Sequence, residues 1–243
     1  MHYPHPCPII ELMKECTVLF SGGLDSTTTL IWAKHRFKKV QALSFQYGQR
    51  HSLEVELSRN TARRMTVPQT VVPLDFSFIG GSSLIDTEMP LPEFSRAEDI
   101  PEGPPSTYVP FRNGIFLSLA AAWSEARGIR DLAAGFNVID SPDYPDTRPD
   151  FVKTMGTAIN QGTGAGISGG NFHIHAPFIH HTKSDIIREG IKMGADYAYS
   201  ISCYAGSEIP CGKCSSCRLR EKAWQETGEK DHLLLRLKKE GKI

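Results

Sequence analysis

Short apolar, β-branched runs alternate along this chain with longer segments in which apolar residues recur every three or four positions. Thr17–Phe20, Val40–Phe45, Thr70–Leu74, Asp131–Phe136 and Phe172–Phe178 have the length and residue types of strands. Ser26–His35, Ser52–Met65, Asn113–Arg127, Pro149–Asn160 and Lys183–Met193 carry helical spacing, the third stopping at Gly128. Taken in turn, these elements predict an α/β fold: a parallel sheet with helices on both faces and right-handed crossovers. Sheets of that kind bind ligands beyond the carboxyl ends of their strands.

One stretch breaks the alternation. Asp75–Tyr108 is long, rich in Pro, Gly and acidic residues, and without clear period, so it is expected to be a lid or a surface insertion. The resulting organisation is one α/β domain over 1–200, with 75–108 as its excursion, and a C-terminal segment with a helix over 201–243. A chain of 243 residues has ample length for such a core.

Charge narrows the partners. Lys plus Arg and Asp plus Glu both total 27, so no basic field recruits nucleic acid or an anionic membrane, and a small-molecule substrate is expected. No apolar run approaches the ~20 residues of a membrane span, and "MHYPHPCPII" lacks the pattern of a secretion signal. The expected location is cytoplasmic. Six cysteines then favour metal binding or catalysis over disulfides.

The stretch Phe20-Ser21-Gly22-Gly23-Leu24-Asp25-Ser26-Thr27 follows the first strand and opens the first helix. Glycines there admit close approach to the backbone, while the N–H groups and dipole of the first helical turn attract an anion. Ser21, Ser26 and Thr27 add hydroxyls, so the turn reads as a phosphate cradle. It matches neither G-x-x-x-x-G-K-[ST] nor G-x-G-x-x-G, and without the lysine of the former it suits departure of pyrophosphate better than γ-phosphoryl transfer. Gly164-Ala165-Gly166-Ile167-Ser168-Gly169 does fit G-x-G-x-x-G, but it follows a helix-like segment and precedes a strand, the reverse of a dinucleotide site.

Near the C-terminus, Cys203, Cys211, Cys214 and Cys217 have the spacing of a tetrahedral Zn²⁺ site, with Gly212 permitting a tight knuckle. A full set of four thiolates leaves no open position, so such a metal is structural. Iron–sulfur ligation is the competing reading. Cys7 and Cys16 have no partners at metal spacing. His173, His175, His180 and His181 fit a half-polar strand face better than a metal site.

The "SGGLDST" turn resembles the pyrophosphate loop of the ATP-pyrophosphatase (PP-loop) enzymes, which adenylate a carbonyl or carboxyl oxygen. Further blocks, "YGQRH" (47–51), "VPFRN" (109–113), "YPDTR" (144–148), "TKSDII" (182–187) and "SCY…CGKCSSCRLR" (202–220), in this order, resemble the QueC family along nearly the whole chain. That resemblance implies a Rossmann-like, adenine nucleotide alpha hydrolase-like domain, a Cys₄ zinc site and a homodimer. It implies a ligase forming C–N bonds, which converts 7-carboxy-7-deazaguanine and ammonia to 7-cyano-7-deazaguanine with ATP in queuosine biosynthesis. The family commonly reads VPGRN and YPDCR with a glycine before the Tyr-Pro; here those positions hold Phe111, Thr147 and Asp143.

That chemistry assigns roles to residues within the matched blocks. Phe20 to Thr27 bind ATP, with Ser26 and the N–H groups of Ser21 to Leu24 on the pyrophosphate and Asp25 on Mg²⁺. Lys183 neutralises the departing pyrophosphate, and Arg112 and Asn113 reach phosphate or substrate carboxylate. Tyr144, Asp146 and Arg148 are expected on the deazaguanine, Asp140 near them, and Gln49 and Arg50 at the end of the second strand. Three alternatives share the same motifs: a paralogue joining the activated deazaguanine to another amine, a PP-loop enzyme modifying tRNA, and a zinc-dependent nucleic-acid-binding module without catalysis.

Overall fold

The computed structural model describes residues 12–48, 53–139 and 143–243. Among these, β1 (Met13–Leu19), β2 (Phe37–Gln46), β3 (Gln69–Pro73), β4 (Asp131–Ala134) and β5 (His173–His175) form one sheet in the order β3-β2-β1-β4-β5. All neighbouring strands run parallel. The helices are α1 (Leu24–Lys34), α2 (Leu53–Arg64), α3 (Arg112–Glu125), α4 (Pro149–Gly162), α5 (Gly164–Ile167), α6 (Lys183–Lys192), α7 (Ser215–Thr227) and α8 (His232–Lys239).

Strand pleating divides the core. Cys16 and Val18 of β1 pack, with Phe20 beyond the strand, against Leu30 and Ala33 of α1 and Ala62 of α2 on one face. Leu43, Phe45 and Leu132 pack against Ala120 and Ala121 of α3 on the other. Alternate residues thus enter different clusters, as a sheet covered on both faces requires. The strand order reverses between β1 and β4, where Leu19 pairs with both Leu43 of β2 and Ala134 of β4. Those strand ends open a crevice at the switch point.

Every strand has a bound that differs from the periodicity; β2 opens three residues earlier, at Phe37, and β4 ends two earlier, at Ala134. β1 begins at Met13, because backbone pairing with Phe37 of β2 carries through the polar Lys14 and Glu15. β5 is three residues long: the N–H and C=O of Phe172 are taken by the side chain of Asn160, at 2.6 and 3.1 Å, and Pro177 has no donor for a ladder.

The 75–108 segment is tied to the body at its start and in its middle. Phe76, Leu84 and Ile85 enter the core cluster of β2 and α3. Phe94 donates its N–H to the Lys213 carbonyl at 2.8 Å, and Arg218 of α7 donates to the Phe94 carbonyl at 2.9 Å. The C-terminal helices share the core too, since Leu24 of α1, Ile187 of α6 and Trp224 of α7 form one cluster.

An ion pair locks α7 to the start of α8. Arg220 reaches Asp231 through two bonds of 2.5 and 2.7 Å, and its third arm donates to the Ser200 carbonyl at 2.9 Å. The two side chains are only 5% and 9% exposed. Asp231→Asn keeps an oxygen for the Leu233 N–H that Asp231 accepts at the α8 N-terminus, yet strands a buried guanidinium. A loss of about 3–5 kcal/mol in urea unfolding is expected; a change under about 1 kcal/mol would show that water solvates this arginine.

Candidate active site

The site grows from the turn between β1 and α1. Phe20 extends the ladder by one bond, its N–H donating to the Leu43 carbonyl at 2.8 Å. The chain then turns through Gly22 at φ +89°, where a Cβ would sit 2.8 Å from Cβ of Ser58 on α2. Only glycine fits so near a helix in the left-handed region. The serine hydroxyls hold the turn itself: Ser26 Oγ accepts the Gly22 N–H at 3.1 Å, and Ser21 Oγ accepts the Gly23 N–H at 3.3 Å. Gly23 caps α1 without a side-chain acceptor, so the first helical N–H groups are left for an anion.

The far side of the turn presses on the end of β4. A Cβ at Gly135 would lie 2.8–2.9 Å from the backbone of Asp25 and Ser26. The anion cradle is therefore clamped between α2 and β4.

Lys183 opens α6, whose N-terminus is capped by Thr182 accepting the Asp185 N–H at 3.1 Å. From there its Nζ reaches Asp25 Oδ2 at 2.8 Å, across 158 positions of sequence. The other Asp25 oxygen is buried with no hydrogen-bond partner among the described residues. An ionised, half-satisfied carboxylate beside a phosphate cradle has the chemistry of a hard-cation ligand, so Mg²⁺ fits here.

These groups face a cavity of about 340 Å³ at the switch point, within the range of small-molecule sites. A second charged pair faces it from α2 and α3: Glu54 and Arg112. Arg112 donates to Tyr47 Oη at 3.0 Å. Burial works against its charge, but the phenol oxygens of Tyr47, Tyr204 and Tyr144 around it more than offset that and keep it cationic. Burial pushes the Glu54 carboxyl up to about 7, with Arg112 pulling the other way. Phe116 and Leu84 complete an aromatic and apolar flank.

Of the residues expected from sequence, Phe20, Ser21, Gly23, Leu24, Asp25, Ser26, Arg112, Asn113, Tyr144 and Lys183 line this cavity. Gly22 backs onto Ser58 instead, and Thr27 is fully buried in the core. Asp146, 2% exposed, does not reach the cavity: its Oδ2 accepts the Asn113 N–H at 2.9 Å and so caps α3. Arg148 is exposed at the start of α4. Gln49, Arg50 and Asp140 lie outside the described residues, as does Cys7.

Of the three positions that differ from the family pattern, Thr147 alone faces the cavity, where its hydroxyl donates to the Tyr144 carbonyl at 2.9 Å. Phe111 points away, its ring against Phe151 at 5.9 Å. Its φ of +52° is a conformation that glycine takes freely and that costs a phenylalanine about 1–2 kcal/mol.

Sequence reasoning missed Glu54, Tyr47 as a partner of Arg112, and Gly135. Tyr47 lay inside a block that had been singled out, and Glu54 one helical turn beyond it. Nothing local marks Gly135, whose role is set by a contact with the distant turn.

The four cysteine sulfurs lie within 4.8 Å of one another. Bonds of ~2.3 Å to one tetrahedral ion would place them about 3.8 Å apart, and Cys211 and Cys217 stand at 3.9 Å. N–H groups of Cys211, Lys213 and Cys214 point at sulfurs from 3.3–3.4 Å, as thiolates require. Gly212 takes φ +69° in the knuckle. Hydrogen bonds from Cys214 and Cys217 hold the Cys203 thiol below the usual range, and Cys217 is driven above it in exchange. The donor set fits a divalent metal such as zinc. The knuckle also walls the cavity, which Ser202, Cys203, Tyr204 and Gly206 line.

The chain is similar to known proteins along most of its length. The family model described as "Queuosine biosynthesis protein QueC" matches residues 15–228. The 7-cyano-7-deazaguanine synthase of Geotalea uraniireducens is 45% identical over 90% of this chain and 95% of its own. That of Thermoplasma acidophilum is 46% identical over 90% and 91%, and that of Cupriavidus pinatubonensis 44% over 90% and 97%. Among solved structures, a 4-thiouridine synthetase–RNA complex with bound ATP aligns at 16% identity and TM-score 0.48, over 92% of this chain and 52% of that one.

The cysteine geometry predicts about one equivalent of zinc per purified chain, lost in Cys214→Ser. Stoichiometric iron with a visible charge-transfer band would assign the knuckle to a cluster instead.

Proposed function

The chain belongs to the QueC family of queuosine biosynthesis proteins, and we propose that it is a 7-cyano-7-deazaguanine synthase, as its relatives are named. The observation that carries this reading is the switch-point cavity, in which an anion cradle, the Asp25–Lys183 pair and the Arg112 guanidinium face one another. A carboxylate does not react with ammonia until one oxygen is made a leaving group. The acid attacks the ATP α-phosphorus, pyrophosphate departs, and ammonia displaces AMP to give the amide. The amide oxygen is adenylated by a second ATP, and loss of AMP and a proton leaves the nitrile.

Each step sets a task for this chain. The N–H groups at the start of α1 bind the pyrophosphate and stabilise it as it leaves, with Lys183, 17% exposed, supplying a fixed positive charge. Asp25 holds that lysine through Oδ2 and turns its unpartnered Oδ1 to Mg²⁺, which shields the polyphosphate when bound. Arg112 orients the substrate carboxylate or carbonyl. Zinc in the cysteine knuckle is structural and fixes the wall beside Tyr204. Cytoplasmic location and assembly as a homodimer complete the reading; the exposed Phe78 and Ile167 are large apolar side chains of the kind a second copy would cover.

Purified protein with 7-carboxy-7-deazaguanine, Mg-ATP and ammonium is expected to release two AMP per nitrile, read by mass spectrometry. One AMP per turnover with an amide end product would remove the second adenylation, and AMP formed only with tRNA would reject this substrate class.

Lys183→Met is expected to lower kcat about 10²–10³-fold, with thermal stability nearly unchanged; wild-type turnover would exclude the lysine from pyrophosphate departure. Gly135→Ala is expected to weaken ATP binding at least about tenfold, since its methyl displaces the turn. Unaltered ATP affinity in calorimetry would mean that the turn is not clamped against β4.

A further inference from the structure

We propose that Glu54 reads the ring edge of the substrate, accepting both N1–H and the exocyclic amine of the deazaguanine; this rests on the function proposed above. The sequence pointed to Asp146 for that task, but Asp146 caps the N-terminus of α3 through Oδ2, its Oδ1 is buried, and it does not line the cavity. Among the described residues lining the cavity, two carry carboxylates, Asp25 and Glu54, and Asp25 is held by Lys183 within the phosphate cradle. Among the described residues, Glu54 is the carboxylate left for the ring.

Its surroundings match the perimeter of the ligand. Around the deazaguanine, the carboxylate at C7 is followed by the acceptor O6, then the donors N1–H and NH₂. Arg112, five donors and no acceptor, suits the first two groups; Glu54, acceptor only when ionised, suits the last two. Both line the same cavity, one from α2 and one from α3, so one planar ligand can meet both. Tyr47, Phe116 and Tyr144 offer ring faces and edges beside them. Among the described residues, the groups facing Glu54 are Arg112, which stays cationic, and Tyr47, whose hydroxyl burial keeps protonated well above neutrality.

A protonated Glu54 cannot accept both donors, so substrate binding draws on the ionised form. Because burial raises this carboxyl to about 7, the KM for the acid should be lowest above pH 7 and rise about tenfold per unit as pH falls below it.

The test is steady-state kinetics of wild type, Glu54→Gln and Glu54→Asp, with 7-carboxy-7-deazaguanine and with the hypoxanthine-type analogue that lacks the exocyclic amine. Gln presents an NH₂ where an acceptor is needed, so Glu54→Gln is expected to raise the KM for the acid about 10- to 100-fold, leave the KM for ATP within about threefold, and flatten the pH dependence of the acid KM. The wild type is expected to reject the analogue about tenfold or more, and Glu54→Gln to lose that discrimination. The ATP KM reports whether the variant is folded, and Glu54→Asp, which keeps the charge on a shorter stem, should give an intermediate KM with the pH dependence retained. An unchanged acid KM in Glu54→Gln, or an equal rise in the ATP KM, overturns the assignment while the function stands. Absence of nitrile from the wild type overturns the function, and this assignment with it.

Discussion

The contact on which the site depends is the close passage of the Phe20–Ser26 turn between α2 and the end of β4. At Gly22 and Gly135 there is no room for a single carbon. Because the backbone is gripped on both sides, the N–H groups at the start of α1 are fixed before any ligand arrives, so an anion binds without first ordering a loop. The parallel order of β2, β1 and β4 makes the grip: β1 and β4 end side by side at Leu19 and Ala134, while β2 runs on past Leu43 to Gln46.

From that fixed turn the rest of the cavity is built by distant parts of the chain. Lys183 comes from the start of α6 and is aimed by its bond to Asp25. Arg112 and Asn113 come from the start of α3, which Asp146 caps from a loop 33 positions away. The N-termini of α1, α3 and α6 thus carry cavity residues, as do those of α2 with Glu54 and α7 with Ser216. All suit a ligand that brings negative charge.

The cysteine knuckle belongs to this arrangement and is more than a clasp on the tail. Cys203 and Tyr204 wall the cavity, and Phe94 of the long irregular segment donates its N–H to the Lys213 carbonyl of the knuckle. A metal bound there would hold the wall and the excursion in a single geometry. The αL conformation of Phe111 illustrates a tolerated departure: its ring leans on Phe151, away from the cavity, and the strain stays outside the site.

What the sequence determined by itself is local chemistry. Periodicity placed the α/β elements within a few residues, the glycine-serine turn announced an anion, and four cysteines at short spacing announced a metal, because each signal lies within one or two turns of chain. Tertiary structure decided the rest. Asp146 looks like a substrate ligand in a polar loop until α3 claims it; Glu54 looks like a surface helix residue until Tyr47 and Arg112 close around it. The physical reason is that burial and charge coupling arise between residues far apart in sequence, so a carboxylate's task is set by the groups packed around it, which only the folded chain brings together.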